Sequence, residues 1–326
     1  MEALGNVLYK AADAANWTGR IDGEDPASKR WHQIIDLIDL DKELPVMQFK
    51  TVLLGFCCDE GVRRNQGRVG AKDGPAAMRK VLANLPDHFF PSFEIADAGD
   101  VICVAEDLEA AQQELAKRVQ QILEMGGLPI VLGGGHEVTY GHYKGLRLAN
   151  PNKKIGIINL DAHLDIRPLK DGKGNSGTGF YQIAEESKSA GIEFNYMAIG
   201  IQQISNTQAL YQYAEEHHVE IIEAYDVHPW ELENIQERIQ AFADRVDCLY
   251  LTIDMDVFAA PYAPGVSALN FNGLVPDATF IRILECILGQ ANLWTVDIAE
   301  LNPLYDIDNR TTKLAADLIF RIASNP

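Results

Sequence analysis

Residues 155–165, IGIINLDAHLD, run from an apolar, β-branched stretch directly into an alternating polar triad. A short continuous apolar run of this kind is the pattern of a strand buried on both faces, as in a parallel sheet covered by helices. In an extended segment, positions i, i+2 and i+4 project to one side, so Asp161, His163 and Asp165 present two carboxylates and an imidazole to one space. Two other apolar runs end in the same way. Pro129 to Leu132 leads into GGGHE at residues 133–137, and Cys248 to Asp254 leads into Met255 and Asp256. In a parallel sheet the strand C-termini open on a shared crevice, so these distant segments can converge on one ligand.

Working outward, eight candidate strands lie near Thr51 to Phe56, Ser92 to Ala96, Pro129 to Leu132, Lys154 to Leu160, Phe194 to Ile199, Glu220 to Ile222, Cys248 to Asp254 and Leu293 to Ile298. Helical periodicity separates them. Leu108, Ala111, Leu115, Val119 and Ile122 form one apolar face that stops at Gly126 and Gly127, and further helices are expected over Ile235 to Val246 and Thr311 to Ile322. Strand and helix in alternation specify an α/β fold, and periodicity leaves open a closed barrel or an open sheet. Residues 1–45 do not join the alternation. They are expected to pack as an extension on a single domain spanning 46–326, with a turn-like patch at Trp17 to Arg20.

Composition narrows the function. Hydrophobic residues at 47% and charged residues at 23% are enough for a sizeable core and argue against disorder. A net charge of -19 excludes a nucleic-acid groove or an anionic membrane surface, which need a basic face, and favours a small solute as partner. No window approaches the roughly 20 apolar residues of a membrane span, and a cytoplasmic location is expected. Cys57, Cys58, Cys103, Cys248 and Cys286 show no C-x-x-C spacing and read as buried free thiols.

Four clustered carboxylates repel one another and are costly to bury unless cations neutralise them. A D-x-D at a strand end is ordinarily a turn, and a glycine run beside a histidine is often a tight strand-to-helix connection. Three such clusters, each after an apolar strand, point instead to divalent metal. The set His136, Asp161, His163, Asp165, Asp254 and Asp256 contains no thiolate, a hard shell that favours Mn(II) over structural zinc. Six ligands suit two ions, about 3.5–4 Å apart if aspartates bridge, which is an arrangement for hydrolysis. The pair His217 and His218 ends a polar helical stretch and reads as surface. The basic run Arg63, Arg64, Arg68 and Lys72 is a surface loop or, in so acidic a chain, a place to hold an anionic substrate.

The order GGGHE, NLDAHLD at 159–165, DMD at 254–256 and DIAELNP at 297–303 resembles the ureohydrolase (arginase/agmatinase) family over nearly the whole chain. The resemblance implies an open three-layer α/β/α fold with eight parallel strands. It also implies that His136, Asp161, Asp165 and Asp254 bind one manganese and Asp161, His163, Asp254 and Asp256 the other, with Asp161 and Asp254 bridging. Glu300 matches the family glutamate that pairs with a cationic amidinium.

Within the family, GVRRNQGRVGAK at 61–72, DIR at 165–167, SGT at 176–178 and APGVSA at 263–268 are similar to formimidoylglutamases. An arginine at 167 suits a substrate with two carboxylates, and no histidine occurs between His163 and His217 to serve as the shuttle that guanidine hydrolases place near Ser176. Gly179 departs from the proline usual after S-G-T. The implied reaction is hydrolysis of N-formimidoyl-L-glutamate, a small anionic amidine, in histidine degradation. Asp165 and Glu300 are the expected catalytic residues, and Arg167, Asn175, Ser176 and Arg68 the expected substrate contacts. A guanidine hydrolase and a catalytically inactive metal-binding scaffold stay open as alternatives, as does homo-oligomerisation.

Overall fold

A computed structural model describes residues 8–42, 50–88 and 94–324. Its strands are β1 (Tyr9–Lys10), β2 (Asp36–Leu37), β3 (Thr51–Cys57), β4 (Ile95–Ile102), β5 (Leu128–Leu132), β6 (Ile155–Leu160), β7 (Asn195–Ile201), β8 (Glu220–Glu223), β9 (Cys248–Asp254) and β10 (Leu293–Ala299). The helices are α1 (Glu60–Arg64), α2 (Gly74–Leu82), α3 (Leu108–Glu124), α4 (Val138–Ala149), α5 (Gly179–Ala190), α6 (Gln208–Glu216), α7 (Leu232–Ala243), α8 (Ala278–Leu288) and α9 (Arg310–Ala323).

All strands join one sheet in the order β1-β4-β3-β5-β10-β9-β6-β7-β8, with β2 also on β4. The expected count of eight is corrected to ten. The eight expected strands form the parallel body, while β1 pairs antiparallel and β2 parallel with successive lengths of β4, so the sheet is mixed. Two-residue strands carry no periodic signal, and their register comes from β4 rather than from their own sequence. The expected strand start at Ser92 and the expected domain boundary at 45/46 lie outside the described residues. The strand itself runs on from Ala96 to Ile102.

Alternation on the strands divides the core. On β9, Leu249, Leu251 and Ile253 face a core shared with α2, α7, α8 and α9, including Met78, Ile239, Phe280 and Ile319. Cys248 and Tyr250 face the opposite side, where Phe180 and Ile183 of α5 and Leu210 of α6 pack. Val52, Leu54 and Phe56 of β3 meet Leu108, Leu115 and Val119 of α3 on that same side. Helices therefore cover both faces, giving three layers and excluding the closed barrel. All five cysteines are free, with Cys58 and Cys248 buried and the other three partly exposed.

Chain order reverses across the middle of the sheet, so β5, β10, β9 and β6 stand side by side. Their C-termini emerge together at 133, 300, 254 and 161, which is what gathers the polar clusters. The N-terminal segment is tied on by a buried ion pair. Arg79 contacts Asp97 at 2.8 Å and Asp100 at 2.5 Å, and Trp17 Nε1 donates to the second oxygen of Asp97 at 2.7 Å. Replacing Asp97 with Ala removes the buried partner of a fully buried guanidinium, leaving it Asp100 and the Gly99 carbonyl, and is expected to cost about 3 kcal/mol. Trp17→Phe removes one hydrogen bond and should cost only about 1 kcal/mol. Equal losses in chemical denaturation would contradict this ranking.

Candidate metal centre

The three-glycine turn after β5 sets the first ligand. Gly134 passes under the exit of β3 so closely that a Cβ there would meet the Cys58 carbonyl oxygen at 1.8 Å, and Gly135 N donates to that oxygen at 2.9 Å. This turn delivers His136 into the crevice. Its Nδ1 lies 3.1 Å from Asp161, 2.9 Å from Asp165 and 3.2 Å from Asp254. His163 Nδ1 lies 3.4 Å from Asp161 and 3.2 Å from Asp256. All six sequence-predicted ligands are thus together.

Donor atoms of five of them form two sets, His136, Asp161 and Asp254, and Asp161, His163 and Asp256, each within 4.8 Å. Asp161 is common to both, as the resemblance implied. Asp254 falls only with the first, and its Oδ1 accepts the Asp256 backbone N–H at 2.7 Å. Asp165 falls in neither set, although its carboxylate is 2.9 Å from His136 Nδ1. The chemistry of the set fits hard divalent cations: oxygens and imidazole nitrogens, buried, with Asp256 Oδ1 lacking any hydrogen-bond partner.

Electrostatics support the same reading. Burial, then repulsion from Asp256 and Asp161, raises the Asp254 carboxyl well above its ordinary range. Burial also pushes Asp256 up to about 6, with His163 opposing and Asp161 and Asp165 reinforcing. His136 and His163 are raised well above the usual imidazole range: burial works against their charge, but the surrounding aspartates outweigh it.

Outside the ligands, His136 Nε2 meets Thr252 Oγ1 at 3.0 Å, and Thr252 donates to Asp297 Oδ1 at 2.6 Å. Asp297 also pairs with His142 Nδ1 at 2.6 Å and accepts from Tyr250. Such partners fix a ligand's tautomer and orientation. Sequence reasoning missed Thr252, although it lies two residues before Asp254 and so on the same strand face.

Above the ligands is a cavity of about 290 Å³. Glu300 lines it, buried and held at a positive φ of 66° just after β10. Its Oε1 accepts from His136 N at 2.9 Å, while Oε2 has no partner. Burial, with Glu137 repelling it, pushes Glu300 up to about 8. Arg167 and Ser176 also line the cavity, joined by Asn65 and Ser267, which the sequence had not singled out.

Two expected substrate contacts are placed elsewhere. Arg68 donates to the carbonyls of Val266 and Ser267 and lies over the Tyr305 ring, so it braces the 263–268 loop. Asn175 accepts from Gly177 N at 2.8 Å and shapes its own turn. The basic patch is also corrected. Arg63 and Arg64 pair with Glu60, Glu106 and Glu109, leaving little charge for a ligand. His217 stacks on Tyr213 at 3.9 Å, remote from the cavity lining.

The pattern of the Arginase family matches residues 49–324. The chain belongs to the arginase family. Among arginase-family relatives, a formimidoylglutamase of Chromobacterium violaceum is 44% identical, covering 95% of this chain and 98% of its own. One from Geobacillus thermodenitrificans is also 44% identical, with 95% of each chain covered. A crystal structure of Trypanosoma cruzi formiminoglutamase with Mn2+ superposes with a TM-score of 0.76 at 28% identity, covering 88% of this chain and 98% of that one.

Three outcomes follow for this arginase-family site. Groups with raised folded-state pKa values contribute stability at low pH and lose it as pH rises through the folded value. The metal-free protein should therefore weaken from about pH 4 to pH 8, as Asp256 and then Glu300 are forced to ionise. Mn(II) needs deprotonated ligands, so the melting-temperature gain over chelator-treated protein should be larger near pH 8 than near pH 5.5. A flat or inverted difference would contradict the assignment. Asp254→Asn should give a folded, metal-poor protein, and full metal content by elemental analysis would remove Asp254 from the ligand set.

Proposed function

We propose that this chain hydrolyses N-formimidoyl-L-glutamate to L-glutamate and formamide at a two-manganese centre held by His136, Asp161, His163, Asp165, Asp254 and Asp256. The observation that carries the reading is the division of charge within the lining of one cavity, where ligand carboxylates and Glu300 stand together with the guanidinium of Arg167. A formimidoyl group is a cationic amidine and the glutamyl part is an anion, so the substrate's own polarity matches that division. The formimidoylglutamase relatives at 44% identity support the same substrate. The reading extends to histidine degradation in the cytoplasm. Among the described residues no helix is long and apolar enough to cross a membrane.

Two Mn(II) ions, when bound, supply Lewis acidity and a water activated near neutral pH. The remaining work falls to side chains. Glu300 Oε2, buried and without a protein donor, receives an amidinium N–H, and the cation restores the charge that burial disfavours. Arg167 receives a carboxylate of the glutamyl part. As the bond between the formimidoyl carbon and the glutamate nitrogen breaks, that nitrogen takes up a proton, which the Asp165 carboxylate delivers from the attacking water. The formimidoyl carbon leaves as formamide.

Purified Mn(II)-loaded protein should release formamide and glutamate from N-formimidoyl-L-glutamate and no urea from arginine, agmatine or guanidinobutyrate. Urea release would move the substrate to a guanidine. Glu300→Gln should lower kcat/KM about a hundredfold with metal content retained. Arg167→Ala should raise KM more than it lowers kcat, since its bond is made in ground and transition state alike.

A further inference from the structure

We propose that Asn65 is a specificity-determining residue which, with Arg167 and Ser176, forms a carboxylate clamp closed over Gly177. This rests on the substrate proposed above and adds to it the residue that reads the glutamyl part.

The proposed substrate has two carboxylates, and one guanidinium lines the cavity. The other arginines nearby are committed. Arg64 holds Glu60 at 2.8 Å, Glu109 at 2.6 Å and the Gly174 carbonyl at 3.1 Å, while Arg68 holds the backbone of the 263–268 loop. Among the described residues, none of the ion pairs involves Arg167. Neutral donors beside that one guanidinium therefore complete the recognition of a carboxylate.

Asn65 is placed for that task. It is the residue that ends α1, and its backbone N–H is already used by the Gly61 carbonyl at 2.9 Å, which leaves the carboxamide to reach across the crevice. Asn65 Nδ2 donates to Ser176 Oγ at 3.0 Å, and both residues line the cavity. A carboxamide nitrogen carries two N–H groups, so one remains for a ligand after this bond.

Gly177 shows how the clamp is assembled. A Cβ at this position would lie 2.5 Å from Arg167 Nη1 and 3.4 Å from Asn65 Nδ2. The guanidinium and the carboxamide thus converge over the one residue without a side chain, each from a different loop. Arg167 is aligned further by its backbone N–H, which donates to the Gly177 carbonyl at 3.0 Å. Three donors of different origin facing one small volume suit an oxyanion rather than a cation or an apolar group.

The alternative role for Asn65 is to tie two loops together without touching substrate. The two roles separate when the substrate is varied. Asn65→Ala and Asn65→Asp, each first checked for manganese content, are assayed on N-formimidoyl-L-glutamate. They are also assayed on two analogues lacking one carboxylate each, N-formimidoyl-4-aminobutyrate and N-formimidoyl-2-aminobutyrate. The clamp requires that KM for the parent substrate rise about tenfold or more, with the larger effect for Asp. The loss must shrink on the analogue that lacks the clamped carboxylate. Equal losses on all three substrates would overturn the proposal and leave a loop tie.

Gly177→Ala is the second variant. Its Cβ meets the flexible end of Arg167, so the fold accepts it while the clamp is opened, and the same pattern of losses is expected. The substrate assignment is checked separately by calorimetric binding of L-glutamate to the Mn(II)-loaded protein. If the unaltered chain neither binds glutamate nor turns over the parent, the substrate reading itself fails. If the unaltered chain binds glutamate and Asn65→Asp binds it equally well, only the clamp fails.

Discussion

Four aspartates meeting under the end of one sheet are the constraint to which the rest of the molecule answers. Taken out of water and set side by side, Asp254 and Asp256 are pushed above the ordinary carboxylate range, and the aspartates in turn raise His136 and His163. A divalent cation relieves that arrangement more completely than a proton does, because one ion neutralises two carboxylates and accepts lone pairs from several directions. The features around the centre help to keep the ligands aimed. The Thr252 and Asp297 chain steers the far nitrogen of His136, the glycine turn brings that histidine under β3, and Glu300 braces its backbone.

The legibility of the fold followed the physics of burial. β9 is covered on both faces and presents seven buried residues in succession, so Cys248 to Asp254 could be read to the residue. β4 could not. Beyond Ala96 it contains the buried Asp97 and the partly buried Asp100, both paired with Arg79 from α2. A polar strand stabilised by a distant partner looks like a loop when the partner is unknown. β1 and β2 were illegible for a related reason, since their pairing is supplied by the edge they join.

At the site, the acidic half was legible and the opposite half much less so. Ligands cluster at strand exits, which the apolar runs before them mark, although the chain beyond β6 turns at Asp165 with a φ of 47° instead of continuing the alternation. Substrate contacts sit on loops, where direction depends on which hydrogen bonds are already taken. Arg68 and Asn175 have suitable chemistry but spend it on nearby backbone, whereas Asn65 has its backbone satisfied by α1 and its side chain left over. No spacing rule distinguishes those cases. Arg167 was accessible because it closely follows Asp165 in the sequence.

The contact between His136 and Glu300 spans 164 residues of chain. Closing so large a loop yields no local reward until the intervening strands have paired, and the central strands pair only after the chain has left and returned to the middle of the sheet. The centre is therefore completed late in folding, after both halves of the chain have docked. Metal would act at that stage as a latch rather than as a seed: it cannot template the early sheet, but once β10 is seated it holds shut the seam where the two halves of the protein meet.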